Sequence, residues 1–276
     1  MKNKQKILAQ QFQAMHHAKE LLVLPNAWDA ASAFIFAKAG FKAIGTSSAG
    51  IAYSLAYPDG EYISFTDILE SSQRMLNRIS VALTVDIETG YSQKIEEIKE
   101  NVKQIIKLGA VGINIEDGLT KPVASLKDMA EQSEIIKAIS EVKQELDIPF
   151  VINARIDSYW LNLGDDKAKF KETLARADSY KNAGADCIFI PAKLNKQTIK
   201  LLAQEISLAI NIIASPKCLS IKELEDLGVA RLSLGSGPAR ASLGLNQTIA
   251  NELINSNFNS IYKHALSYTD SNSLFS

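Results

Sequence analysis

One pattern of apolar and polar positions recurs along the chain. "AGFKAIGTS" (39–47), "LGAVGINIED" (108–117), "AGADCIFIPA" (183–192) and "LGVARLSLGS" (227–236) each read as a helix end, a glycine and then a short apolar strand. Gly40, Gly109, Gly184 and Gly228 fall where a helix C-terminus calls for a left-handed residue. Four further apolar runs have strand length: "LLVLPNA" (21–27), "VALTVDIE" (81–88), "FVINARID" (150–157) and "NIIASP" (211–216). Between strands the period lengthens. In "KIEEIKENVKQIIKLG" (94–109), Ile95, Ile98, Val102, Ile105 and Ile106 share one helix face. An amphipathic helix is also predicted over about 4–19, and another over 238–256. The polar, Ser/Asn-rich last ~20 residues read as a partner-binding tail or a partly disordered one.

Eight apolar strands alternating with helices, without linkers, predict parallel pairing. Their nearly continuous apolar character is that of strands buried on both faces. Length and strand count favour a closed (β/α)8 TIM barrel over an open doubly wound sheet, and the first strand–helix turn has no G-x-G-x-x-G. The expected organisation is one barrel domain over 1–276. Its N-terminal helix (about 4–19) flanks or plugs the barrel, and a helical extension (about 238–276) follows it.

Composition narrows the function classes. The chain has 276 residues, 46% hydrophobic and 22% charged, with a net charge of -1. No global field draws it to nucleic acid or to a membrane surface. No apolar run reaches the ~18 residues of a membrane span, and no signal peptide opens the sequence. Cys187 and Cys218 have no metal-ligand spacing, so a cytoplasmic location is expected.

In a barrel of this kind, chemistry sits at the C-terminal ends of the strands. Those ends carry Asn26 and Asp29, Ser47 and Ser48, Asp86 and Glu88, Glu116 and Asp117, Arg155 and Asp157, then Lys193, Lys217 and the "GSG" of 235–237. Asp86 and Glu88, two apart, are expected on one face, where they repel unless a cation lies between them. Asp86, Glu88 and Glu116, with Asp59 from the loop after the second strand, predict a hard oxygen-ligated cation, Mg²⁺. His16, His17 and His264 lie in the terminal regions, which argues against zinc or a histidine base. Arg155 has the planar fork that suits a carboxylate or phosphonate, or else forms a structural ion pair with Asp157 or Glu116. Glu116 and Asp117 are metal-site groups or caps of the next segment. Lys217 and Cys218 read as loop residues and Cys187 as core, while "LGSGPAR" is a phosphate cradle or a tight turn before a helix opened by Pro238.

"LPNAWDAASAFIFAKAGFKAIGTSSAG", "YPDG", "VDIETGYS", "INIEDG", "NARID" and "GVARLSLGSGPARA" together resemble the phosphoenolpyruvate mutase/isocitrate lyase superfamily, in order and in register over about 20–245. The resemblance implies a (β/α)8 barrel with Mg²⁺ at its mouth, cleaving or forming C–C or P–C bonds in small carboxylates. It implies that Asp86, Glu88 and Glu116 hold the metal, largely through water, with Asp59 nearby. Ser47 and the backbone of Ser48 would hold the substrate carboxylate and oxyanion, Trp28 would wall the pocket, and Arg155 would bind the far anionic group. It also implies exchange of the eighth helix between subunits, in a homotetramer of helix-exchanged dimers. Glu88 stands where the family usually has Asp, and Ser48 where glycine is common. The loop "GLTKPVASLKD" (118–128) has neither the cysteine nor the histidine of the isocitrate-type lyases. Pro122 and Ala124 stand at the lysine and asparagine positions of the phosphonate mutases, with Lys121, the loop's candidate catalytic lysine, displaced by one. The expectation is a Mg²⁺-dependent lyase acting on a small α-keto or α-hydroxy carboxylate through a pyruvate enolate. The alternatives are a phosphonopyruvate-type mutase or hydrolase and a non-catalytic oxyacid-binding barrel.

Overall fold

The computed structural model describes residues 2–119 and 123–276, without the side chain of Lys2. Eight parallel strands form the barrel. They are β1 (Leu22–Leu24, resuming after Pro25 as Asn26–Ala27), β2 (Ala43–Thr46), β3 (Ala82–Asp86), β4 (Gly112–Glu116), β5 (Val151–Arg155), β6 (Cys187–Ile190), β7 (Ala209–Ile213) and β8 (Arg231–Ser233). The sheet closes through its first strand. Leu22–Leu24 pair with β8 and Asn26–Ala27 pair with β2, so Pro25, which has no N–H to give a ladder, lies where the strand changes partner. The predicted strands are all present, each trimmed at its ends. Only β7 also starts earlier than its apolar run, because Ala209 and Ile210 pair with Cys187 and Ile188.

Around this sheet lie α2 (Ala30–Lys38), α3 (Ser48–Ser54), α4 (Phe65–Leu76), α5 (Ile95–Leu108), α6 (Met129–Glu145), α7 (Asp166–Ala183), α8 (Lys196–Glu205) and α9 (Ile221–Asp226). On α5, Ile98, Val102, Ile105 and Ile106 are buried, the face that the 3.6 period marks out. Gly109 and Gly184 end α5 and α7 at φ 112° and 105°, and Gly40 and Gly228 are left-handed too.

The N-terminal helix α1 (Lys2–Met15) plugs the barrel's lower end. Ala9 and Phe12 are fully buried, and Gln5 Nε2 donates to the carbonyls of Ile106 and Ala110 at 2.7 and 2.9 Å. The helix is shorter than predicted, because His16 turns under the barrel, where its ring meets Phe12 edge-on. After β8 come α10 (Gly237–Ile254), α11 (Asn259–His264) and α12 (Tyr268–Leu274). The tail that reads as partly disordered is thus helical. Its end rests on α2 and α4: Phe275 packs on Phe34, and Lys38 Nζ donates to the carbonyls of Ser273 and Leu274. Among the described residues no helix is long and apolar enough to cross a membrane.

Candidate active site

The parallel register sets Asp86 beside Asn114 and Asn114 beside Asn153, and it pairs Glu116 with Arg155 one pleat higher. Side chains follow that order. Asp86 Oδ1 accepts from Asn114 Nδ2 at 3.0 Å, and Asn114 Oδ1 accepts from Asn153 Nδ2 at 2.9 Å. Asp86 Oδ2 accepts from the Ser48 hydroxyl at 2.8 Å and from the Ser48 amide at 3.3 Å. The Thr46 hydroxyl accepts from the Asp86 amide at 2.8 Å. The tip of β3 therefore holds one carboxylate in a fixed orientation.

Ser47 and Ser48 are buried beside it. Ser47 Oγ accepts from Gly50 N at 3.1 Å and caps α3, so in this arrangement the two serines serve the helix start and Asp86. Trp28 is half-buried against the same turn. A Cβ on Gly50 would lie 2.8 Å from the Trp28 Cβ, so only glycine lets α3 approach this closely.

Glu88 departs from the one-face expectation. The strand ends at Asp86, and Glu88 takes a left-handed conformation with φ 49°. Its carboxyl turns away from Asp86: Oε1 accepts from Tyr91 Oη at 2.7 Å and Oε2 from Glu61 N at 2.9 Å. Burial, and after it the Asp86, Asp59 and Glu61 charges, pushes the Glu88 carboxyl up to about 8 against the opposing Tyr91 hydrogen bond. Asp59, on the loop rim, is also raised, by partial desolvation and by the Asp86 charge.

Arg155 points at two carboxylates. Its Nε and Nη2 donate to Asp157 at 2.7 and 2.9 Å, and its Nη1 lies 2.5 Å from Glu116 Oε2. That last contact is ionic but off hydrogen-bond geometry, and among the described residues the buried Oε2 of Glu116 has no hydrogen-bond donor. Desolvation raises the Glu116 carboxyl well above its usual range; Arg155 opposes this, while Asp157 and Asp86 add to it. Burial would lower the guanidinium, yet Asp157 and Glu116 hold it above its ordinary value. The structural ion-pair reading of Arg155 thus describes this geometry, and both partners share it. The exposed Trp160 ring lies 5.8 Å from the guanidinium.

Asp117 is fully buried, and among the described residues it caps no helix. It accepts from Asp157 N at 2.9 Å, Tyr180 Oη at 2.6 Å and Arg176 Nη1 at 3.1 Å, tying β4 to β5 and α7. The next residue must be glycine, because a Cβ on Gly118 would run into the Asp157 carboxylate. Lys121 lies outside the described residues.

Two groups near the mouth have no clear sequence signal. Glu61 Oε1 accepts from Thr89 N, Thr89 Oγ1 and Tyr91 N at 3.0, 2.8 and 3.0 Å, latching the loop after α3 onto the turn after β3. Lys127 is buried, with its ammonium pKa lowered by desolvation, which Glu131 and Glu61 oppose. Its amide donates to the Asp117 carbonyl at 2.8 Å, next to the two-residue ribbon that pairs Gly118 with Leu126. So short a ribbon leaves no periodicity to read.

Asp59, Asp86, Glu88, Glu116 and Asp157 act on one another here around the Arg155 guanidinium, with the Lys127 ammonium also feeling Glu61 and Glu116. Among the described residues no three acidic, imidazole or thiol side chains are placed to share one ion directly. An oxygen-only donor set and three raised carboxyls, Asp59, Glu88 and Glu116, fit a hard divalent cation that keeps several of its waters.

The sequence profile of the family described as phosphoenolpyruvate phosphomutase matches residues 12–254. An uncharacterized protein of Mycobacterium tuberculosis is 37% identical over 232 residues, which cover 84% of each chain. A lyase/mutase-type structure from Burkholderia cenocepacia J2315 superposes with a TM-score of 0.92 at 29% identity, over 99% of this chain and 97% of that one. A phosphonopyruvate hydrolase solved with oxalate and Mg²⁺ shares the fold, with a TM-score of 0.84 at 23% identity over 97% and 94% of the chains.

Proposed function

Since the chain belongs to the phosphoenolpyruvate phosphomutase family, we propose that it is a Mg²⁺-dependent lyase that cleaves a C–C bond in a small α-keto or α-hydroxy carboxylate by way of a pyruvate enolate. The observation that carries this reading is the surplus of carboxylates at the mouth around an arginine whose charge is already taken up by Glu116 and Asp157. Asp86, Glu88 and Glu116 would hold the ion, partly through water, with Asp59 at the rim. Bound there, Mg²⁺ supplies Lewis-acid stabilisation of the negative charge that grows on a carbonyl oxygen.

The chain's own residues prepare that centre. Ser48 and Asn114 fix the Asp86 oxygens before any ligand arrives, so little reorganisation accompanies the reaction. The Glu88 carboxyl, pushed up to about 8, would hold a proton at neutral pH and would give it up on holding the ion. Trp28 and Ser47, packed together at Gly50 beside the Ser48 that holds Asp86, would meet the substrate's carboxylate end. The 118–128 loop has no cysteine or histidine, which turns the reading away from isocitrate-type proton transfer.

A steady-state assay with oxaloacetate, phosphonopyruvate and 2-methylisocitrate in Mg²⁺ buffer tests the proposal. Pyruvate release from a C–C substrate, abolished by chelation, is expected, with negligible 2-methylisocitrate turnover. Turnover of phosphonopyruvate alone would replace this reading with P–C chemistry. No turnover of any 2-oxo or 2-hydroxy acid would favour an oxyacid-binding barrel.

The proposed assembly is a homotetramer of helix-exchanged dimers. Of the 18 residues of α10, only Ala239 is buried within the subunit, and Leu243, Leu253 and Ile254 are exposed. Burying each such side chain against a neighbour would contribute roughly 1.5–3 kcal/mol.

A further inference from the structure

Two strand-end lysines, Lys193 and Lys217, lie outside the carboxylate cluster, beside a surface trough made of two cavities that share one wall. A cavity of about 320 Å³ opens between the loops after β6 and β7, and a second of about 350 Å³ opens between the loops after β5 and β6. Residues 192–195 line both, so Lys193 stands at their junction. The first cavity has Leu194, Ile199 and Ile213 among its walls, Lys193, Lys196 and Lys217 around it, and no acidic side chain among its lining. The second reaches Trp160, the ring that lies over Arg155. Charge separates the lysines. Lys196 pairs with Glu223 and Lys169 with Asp166, each at 2.9 Å, whereas Lys193 and Lys217 make no ion pair among the described residues.

A substrate with a second anionic group needs a cation for it. Arg155 has none to spare, since one guanidinium already serves two carboxylates. The trough offers two unpaired ammonium groups, and the aliphatic walls suit methylene carbons. We infer that the trough takes the outer oxyanion, carboxylate or phosphate, of an elongated 2-oxo or 2-hydroxy acid, with Lys193 and Lys217 as its counter-charges. Its short aliphatic spacer lies on the Leu194–Ile199–Ile213 wall. The inference rests on the reading that the acid head sits at the carboxylate cluster.

Calorimetry of the full-length protein in Mg²⁺ buffer tests it with four probes: oxalate, 2-oxohexanoate, 2-oxoadipate and 2-oxo-5-phosphonopentanoate. The wild type should bind at least one of the two outer-anion probes about fivefold or more tighter than 2-oxohexanoate, the effect of two partly solvated ion pairs. Whichever of the two is tighter identifies the outer group. In the Lys193→Met/Lys217→Met double variant the preference should fall to within about twofold, with oxalate affinity unchanged. Both lysines are exposed, so folding is not at stake. Equal affinities of the wild type for 2-oxohexanoate and both outer-anion probes, or a preference that survives in the double variant, would overturn the inference. Failure of oxalate to bind the wild type would overturn the reading of the metal centre, and this inference with it.

Discussion

Replacing Glu88 by glutamine isolates the ionisation that most distorts the mouth. Glutamine is nearly isosteric with the protonated acid. Its carbonyl can accept from Glu61 N, and its amide can donate to Tyr91 Oη, so both bonds that hold Glu88 survive in altered polarity. What is lost is a carboxyl that titrates at about 8 in the fold and near 4.5 in a solvated chain. The folded state therefore holds a proton that the unfolded state releases across the interval from about 4.5 to 8. Where the native state binds more protons, stability falls as pH rises. With up to about 1.4 kcal/mol per pH unit, raising the pH from about 5 to 7 should cost the metal-free wild type about 2–3 kcal/mol from this group. In a chain of this size that is about 5 °C in Tm. Glu116 acts in the same direction, so the measurement is a difference between proteins. Calorimetric Tm of wild type and Glu88→Gln is compared in EDTA across pH 5–7. The wild type should lose about 5 °C more than the variant. Parallel curves would show that Glu88 titrates normally and would refute the reasoning. Saturating Mg²⁺ should flatten the wild-type loss, because the ion selects the ionised carboxylate.

Arg155→Met leaves Glu116 and Asp157 buried without a counter-charge and should cost about 3–5 kcal/mol in denaturant unfolding; a loss under about 1 kcal/mol would mean that the carboxylates simply protonate. Asp86→Ala should lower Mg²⁺ affinity by at least about tenfold in titration calorimetry, and unchanged affinity would remove Asp86 from the centre. Light scattering at micromolar concentration should show an oligomer of the full chain that truncation at about Gly237 abolishes, whereas a full-length monomer would refute helix exchange.

The barrel was legible in the sequence because it is written in period. Short apolar runs recur on every unit and glycine ends the helix before four of the eight strands, and backbone geometry leaves few ways to satisfy both. Which carboxylates gather was legible from strand ends alone. How each one points was not. Asp86 and Glu88 look equivalent at spacing two, yet the strand stops at Asp86 and Glu88 crosses into left-handed space. Arg155 looks available, but the β4–β5 register sets it directly beside Glu116, and Asp157 occupies the rest of its fork. The polar C-terminal tail has a disordered composition, but Phe275 and the α2 lysine Lys38 give it a seat. Those outcomes depend on contacts between distant residues, 27 positions apart at Glu61–Glu88 and 236 at Lys38–Leu274, which no local window contains.

The strained turn after β3 ties the rim to the carboxylate cluster. Glu61 and Glu88 both adopt left-handed conformations, at φ 56° and 49°, each at a cost of order 1 kcal/mol or more. The strain is offset reciprocally: the Glu61 carboxylate gathers three donors from Thr89 and Tyr91, and the Glu61 amide is received by Glu88. Asp59 sits two residues before Glu61, so the latch that holds Glu61 also fixes how near Asp59 comes to Asp86. A hydrogen bond to an ionised acceptor is roughly twice as strong as one to a neutral acceptor. Deprotonation of Glu88 on ion binding would therefore tighten the Glu61 bond and draw the Asp59 loop toward the mouth. With aspartate, one methylene shorter, at position 88, the carboxyl would fall short of Tyr91 Oη and Glu61 N unless the turn moved inward. In the proposed centre, the longer acid would let one side chain serve as both ligand and latch.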